Sequence, residues 1–336
     1  MFGRALAVYL TLILTWEYWD RVERVREKER IAYHQSVIGG SAPSETRARV
    51  LVPWLAEFGA RAIENLPKGA GFAPVPGRPY SSRAFHLSYI ILNGLGILLL
   101  LHFMRLLAEA LYGRILAMFA VTLSACFLWF TFRDQYYHPW SLWEPGIFAF
   151  GMYLVHRGRH VVFIALCAMA ALVRETTVFL PLGLVIFGIL RHRRPDRAAI
   201  VALAAWAAVF AAVRLGVGFQ GPPADYFPYL WRQNAQALPY TLLLTALLLG
   251  PMWFWLARGI RHAPPLLIAF LLSFFCYGAL LITVSFWWEI RYWASAIPVL
   301  VPLILESVKG EFPPPVELGV GEPGASRVPA AAAGDR

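Results

Sequence analysis

The chain has 336 residues, 59% of them hydrophobic and 15% charged, with a net charge of +10. A soluble domain carries roughly 25% charged residues, and several apolar runs here reach the roughly 20 residues a helix needs to cross a hydrocarbon core. A soluble globular fold is therefore excluded. Nearly all the basic charge is arginine, since lysine occurs only at Lys28, Lys68 and Lys309. No basic patch interleaves with aromatics, so nucleic acid is set aside as a partner. The charge reads instead as loop arginine that orients the chain in a bilayer and meets anionic headgroups.

In chain order, Arg4 opens an apolar stretch through Leu14, followed by Trp16-Glu17-Tyr18-Trp19-Asp20. No small-residue cleavage site follows, so the segment reads as an uncleaved signal anchor that becomes the first span. A long first loop, residues 20–83, comes next. Asp20–Ile38 has helical composition, Gly39-Gly40 breaks it, and Val50 to about Ile63 forms an amphipathic helix with Trp54 and Arg61 at its margins. Such a helix suits the bilayer interface. Pro74, Pro76 and Pro79 lead back to the second span.

Hydropathy predicts about ten spans, near 4–19, 84–105, 114–132, 139–155, 161–173, 177–190, 198–215, 239–257, 265–284 and 293–306. The predicted fold is all-α: a polytopic transmembrane helical bundle over residues 1–309, with an external loop carrying juxtamembrane helices at 20–83. Residues 310–336 form a Pro/Gly/Ala-rich tail expected to be disordered. Cys126, Cys167 and Cys276 lie inside apolar runs, with no CxxC spacing, and read as small buried hydrophobes.

Arginine in the short loops sets the orientation. With the N-terminus cytoplasmic, the inside turns are Arg105 to Arg114, His156 to His160, Arg191 to Arg197 and Arg258 to His262. Residues 161–190 could be one helix with Arg174-Glu175 at mid-membrane, but Arg191–Arg197 would then lie outside. Two short spans meeting at Arg174-Glu175-Thr176 keep every basic turn inside. Each half covers only about 20 Å at 1.5 Å per residue, which implies local thinning or a watery recess.

Charged groups near membrane depth are costly and are functional candidates by default. Under this topology they gather at the non-cytoplasmic side. Glu17 and Asp20 close span one on a shared helical face. Arg133-Asp134-Gln135-Tyr136-Tyr137-His138 joins spans three and four, with Glu144 a turn or two into span four. Arg174 and Glu175 cap the short pair, and Glu289 and Arg291 precede the last span. Arg47 and Arg49 lie in the long loop. Bland readings stand beside these: Arg174-Glu175 and Glu289…Arg291 as self-neutralising pairs, the tryptophans as belt anchors, Arg47 and Arg49 as headgroup contacts. Asp134 and His138, four apart, offer two metal ligands at most, so a divalent metal is left open and no other cofactor is indicated. His34, His86 and His102 show no partner in sequence.

Carboxylates with arginines suit glycosyl transfer from a lipid-phosphate donor. An acceptor hydroxyl needs a general base, and arginines stabilise the charge on the departing phosphate. No Walker A loop, Rossmann fingerprint, HExxH or GxSxG motif is present.

Several of these features together resemble the type C glycosyltransferase superfamily of polyprenyl-phosphate-sugar-dependent membrane enzymes. They are a first span ending in Glu17 and Asp20, a long first loop, Arg47-Ala48-Arg49-Val50-Leu51-Val52-Pro53-Trp54-Leu55 similar to an Arg-x-Leu-x-Pro-x-Leu stretch, and Leu172-Val173-Arg174-Glu175-Thr176 followed by Pro181. The resemblance implies a bacterial inner-membrane protein of the cell envelope, with both termini cytoplasmic and a site facing outward. It implies a polyprenyl-phosphate-linked sugar as donor. It also implies a catalytic acid just beyond span one, for which Asp20 is the nearest match and Glu17 shares its face. The family's usual Asp-Asp or Asp-Glu pair is Asp20-Arg21 here. Arg47, Arg49, Arg133, Asp134, Glu144, Arg174, Glu175, Glu289 and Arg291 would hold donor or acceptor, and Tyr136, Tyr137 and His138 would line the acceptor pocket. A transporter or flippase for an anionic or lipid-linked solute is the competing reading. Its broken helices are matched by the short 161–190 pair, although no repeat is visible.

Overall fold

The computed structural model describes residues 2–42, 49–65, 75, 77–78, 80–134, 139–218, 226–284 and 290–312. Among these the chain is helical, with no β-strand. The α-helices are α1 Phe2–Tyr18, α2 Glu27–Ile38, α3 Leu51–Glu64, α4 Ser82–Tyr112, α5 Arg114–Phe130 and α6 Trp143–His156. They continue with α7 His160–Ala170, α8 Phe179–His192, α9 Arg197–Val217, α10 Tyr226–His262, α11 Pro265–Val284 and α12 Ile297–Val308. The tail from residue 313 onward lies outside the described residues.

Each run predicted from hydropathy coincides with a helix. Five described segments are long and apolar enough to cross a membrane: Ser82–Tyr112, Glu175–His192, Arg197–Val217, Pro265–Thr283 and Tyr292–Glu311. Of the five other predicted runs, four fall in shorter helices, α1 and α5 with 17 residues, α6 with 14 and α7 with 11, and the fifth, 239–257, lies within the 37-residue α10. At 1.5 Å per residue the shorter helices are about 16–26 Å long, less than the roughly 30 Å of a hydrocarbon core.

Local chemistry sets the ends. The Ser81 hydroxyl caps α4 by accepting from the Ala84 N–H at 3.4 Å, and Glu64 accepts from the Ser81 N–H and hydroxyl at 2.9 and 2.7 Å. Asp196 caps α9 by accepting from the Ala198 N–H at 2.9 Å. Gly113, at φ +86°, turns α4 into α5 with a backbone that few side chains tolerate. The expected break after α2 is present, with Gly40 at φ +77°. Trp19–Glu23 is a π-helical turn extending α1.

Packing uses close approaches at glycine. Gly96 of α4 faces Leu142 and Trp143, Gly146 of α6 faces Leu99, and Phe103 stacks on Phe150 at 4.1 Å. These contacts advance together along both helices, so α4 and α6 run parallel. On α8, Gly183 meets Phe270 of α11, while the Phe179 carbonyl accepts from the Ser273 hydroxyl. On α10, Gly259 lies against the Leu303 carbonyl of α12. Small residues allow such approach where water cannot drive association.

The helix is interrupted between α7 and α8, as expected. Arg174 is extended (φ −164°, ψ 145°) and Glu175–Val178 forms a 3₁₀ turn. Arg174 lies level with Glu144 at the start of α6, and Leu180 lies level with Gly151 one to two turns later. The chain therefore reverses at the break.

Candidate functional site

The first loop is fastened to α4 by a buried polar cluster centred on Glu57, which is 2% exposed. Its carboxylate accepts from the Tyr80 hydroxyl at 2.6 Å and from Arg61 Nε and Nη2 at 2.9 and 2.7 Å, with Arg78 at 3.6 Å. His34 of α2 sits between this carboxylate (3.2 Å from Nε2) and the Tyr89 hydroxyl (2.8 Å from Nδ1). An ionised carboxylate only accepts, so Nε2 carries the proton and Nδ1 accepts from Tyr89. Burial pushes the His34 imidazole down to about 4. Burial also works against the Glu57 charge, but hydrogen bonds from Tyr80, Arg61 and His34 outweigh it and hold the carboxyl below its usual range.

The opposite edge of the first loop reaches the helix break. Arg49 forks onto Glu175, with Nε at 3.1 Å, and lies over the Trp140 ring at 5.1 Å. The Leu51 N–H donates to the Leu172 carbonyl at 3.1 Å. Next along the chain, Arg174 turns the other way: Nη1 donates to Glu144 at 2.7 Å, and the guanidinium covers the Tyr292 ring at 5.2 Å. The Thr176 hydroxyl donates to the second Glu144 oxygen, and Trp206 Nε1 donates to Thr177 at 2.9 Å. Glu144 and Arg174 are 0% and 5% exposed, whereas Arg49 and Glu175 are 13% and 29% exposed. The result is a net-neutral quartet, half of it sealed and half open.

Of the residues expected from sequence, the structure thus joins Arg49, Glu144, Arg174 and Glu175. Arg174 and Glu175 do not neutralise each other; each reaches a distant partner, because the extended backbone at Arg174 sends successive side chains to opposite sides. Glu17 and Asp20 pair locally, with Arg21 at 2.6 Å and Arg24 at 2.8 Å one helical turn on. The backbone of Thr131–Asp134 packs against the 3₁₀ segment Ile290–Ala296, and Phe132 contacts Tyr18 at the end of α1. The side chains of Arg133, Asp134 and Arg291 lie outside the described residues, as do Arg47, Tyr136, Tyr137, His138 and Glu289.

Sequence reasoning missed Glu57, Tyr80 and the role of His34. The signal was present on α3, where Glu57 shares a face with Val52, Pro53, Ala56 and Ala60, all buried. A carboxylate inside an apolar stripe requires buried donors. His86, also left unpaired in sequence, lies 3.0 Å from Glu27.

Comparison with models of protein families, with curated proteins and with solved structures gives no match. Several helices are apolar enough for a bilayer environment, and the chain is an all-α protein of that kind.

Proposed function

We propose that this chain is a multi-span membrane glycosyltransferase of the type C kind, moving a sugar from a polyprenyl-phosphate donor to an acceptor at the non-cytoplasmic surface. The observation that carries the reading is the quartet Arg49–Glu175 and Arg174–Glu144, which ties the first loop to a helix break beside the start of α6. Membrane charges are costly, and four of them gathered from three distant segments suit an anionic substrate at the membrane surface.

In this reading the chain crosses ten times, with α1 and α4 to α12 alternating in direction. The parallel course of α4 and α6 and the reversal at Arg174 support it. The arginine-rich turns 105–114, 156–160, 191–197 and 258–262 then fall at one end, which is cytoplasmic together with both termini. Residues 20–83 form the external loop, and α3 turns Trp54 and Phe58, 54% and 72% exposed, toward the interface. The membrane is a bacterial inner membrane.

For transfer, Asp20 or Glu17 takes the acceptor hydroxyl proton as its oxygen bonds the anomeric carbon, and the polyprenyl phosphate departs. The donor phosphate replaces Glu175 as the ligand of Arg49, and Arg174 stays fixed by Glu144 as a standing positive charge. Protein in liposomes carrying a radiolabelled polyprenyl-phosphate sugar should convert it to a new glycoside, and if Asp20 is the base Asp20→Asn should abolish conversion without loss of folded protein. Conversion by Asp20→Asn and Glu17→Gln at the wild-type rate would remove both as base.

The break at Arg174 specifically favours a second reading, a transporter or flippase for an anionic or lipid-linked solute, because interrupted helices hold solutes in that class. Transbilayer movement of the lipid-linked sugar with no covalent change would select it.

A further inference from the structure

At the end of the bundle away from the quartet, the start of α1, the last turns of α4 and the start of α5 enclose a cavity of about 580 Å³. It is lined by Arg4, Arg105 and Arg114, by a single carboxylate, Glu109, and by apolar groups including Phe2 and Met118. Three cations against one acid leave this pocket formally doubly positive.

Arg105 is the centre of the argument. Its side chain is only 7% exposed. Nη1 donates to Glu109, which also meets Arg114 Nε at 3.4 Å. Nε and Nη2 are buried and have no hydrogen-bond partner among the described residues. A buried guanidinium edge without an acceptor is costly, and a negative charge in the adjoining cavity offsets part of that cost. Gly3 of α1 lies beside the aliphatic stem of Arg105, where an added Cβ would meet Cδ at 3.4 Å. Arg4 and Arg114 stand at the rim, exposed. The N-termini of α1 and α5, each a 17-residue helix, add partial positive charge there.

The apolar part of the lining points to the source of the phosphate. Phe2, Ile115 and Phe119, 72%, 49% and 48% exposed, lie on the same helix ends. A soluble anion has no use for such a border, whereas acyl chains do.

We propose that this pocket binds the phosphate of an anionic phospholipid, with the exposed Arg4 and Arg114 as donors and the buried Arg105 as fixed positive charge behind them. The site is separate from the quartet and does not depend on the transferase reading. Three probes test it on the purified full-length chain: phosphatidylglycerol, a diacylglycerol with the same acyl chains, and inorganic phosphate. Retention is counted by native mass spectrometry and stabilisation by thermal unfolding. The expected result is retention of phosphatidylglycerol over diacylglycerol, with Arg105→Gln weakening it several-fold through loss of the buried charge. If Arg105→Gln does not fold, Arg4→Gln/Arg114→Gln, changed only at exposed side chains, should still weaken binding several-fold. Stabilisation by inorganic phosphate equal to that by phosphatidylglycerol would overturn the lipid assignment. Equal retention of the two lipids, or retention unchanged in the arginine variants, would overturn the site.

Discussion

Replacing Glu144 by Gln tests whether the sealed half of the quartet is held by charge or only by shape. Arg174 and Glu144 are 5% and 0% exposed and meet at 2.7 Å. At about 4 Å between charge centres and an effective dielectric of about 20, their attraction is about 4 kcal/mol. Gln keeps the volume and can still accept one hydrogen bond, but it leaves the Arg174 cation buried without its counter-charge. Orphaning one member of a buried pair costs about 3–5 kcal/mol, so Glu144→Gln should lose about 3 kcal/mol. Adding Arg174→Met removes the orphan, and the double variant should regain at least about 2 kcal/mol of that loss. Unfolding in mixed micelles, followed by labelling of Cys167, reads this directly. That thiol is fully buried in α7, while Cys126 and Cys276 are exposed and are first replaced by alanine. Losses that simply add in the double variant would show that the two charges are not coupled, and the electrostatic account of the helix break would fail.

The remaining predictions concern the loop, its pH response and the packing. Arg49→Lys removes both the fork onto Glu175 and the stacking on Trp140, so peptides covering residues 51–64 should exchange amide hydrogen faster; unchanged exchange would mean that the Leu51–Leu172 contact alone holds the loop. His34 is depressed from 6.5 to about 4, so the unfolded chain binds a proton that the folded chain refuses. Stability should therefore be flat above pH 6.5 and fall by about 3 kcal/mol as pH drops to about 4, and His34→Gln should flatten that part of the profile. Gly259→Ala drives a Cβ into the Leu303 carbonyl oxygen, so α10 and α12 must separate, at a cost of about 1–3 kcal/mol in the same micelle assay.

Much of the fold was legible because bilayer insertion is a one-dimensional problem. Runs of apolar residues mark helices whatever their neighbours, and Gly39-Gly40 and the Arg174-Glu175 interruption mark their ends. The amphipathic helix expected from Val50 to about Ile63 followed from the same local rules, whereas the two-helix form of 161–190 followed from keeping the basic turns on one side. Span number was less accessible, since helices of 11 to 17 residues fall below the length at which hydropathy alone decides a crossing.

Sequence by itself determined the composition of the candidate site: arginines and carboxylates at the ends of apolar runs, costly wherever they are buried. Pairing belonged to the tertiary structure. Arg49 found Glu175 across 126 positions and Arg174 found Glu144 across 30, while Glu17 and Asp20 took arginines one turn away. The physical reason is that an ion pair needs an opposite charge within a few ångströms and is indifferent to chain separation. Only helix packing, set here by glycine contacts between α4 and α6 and by the reversal at Arg174, decides which charges come within that reach.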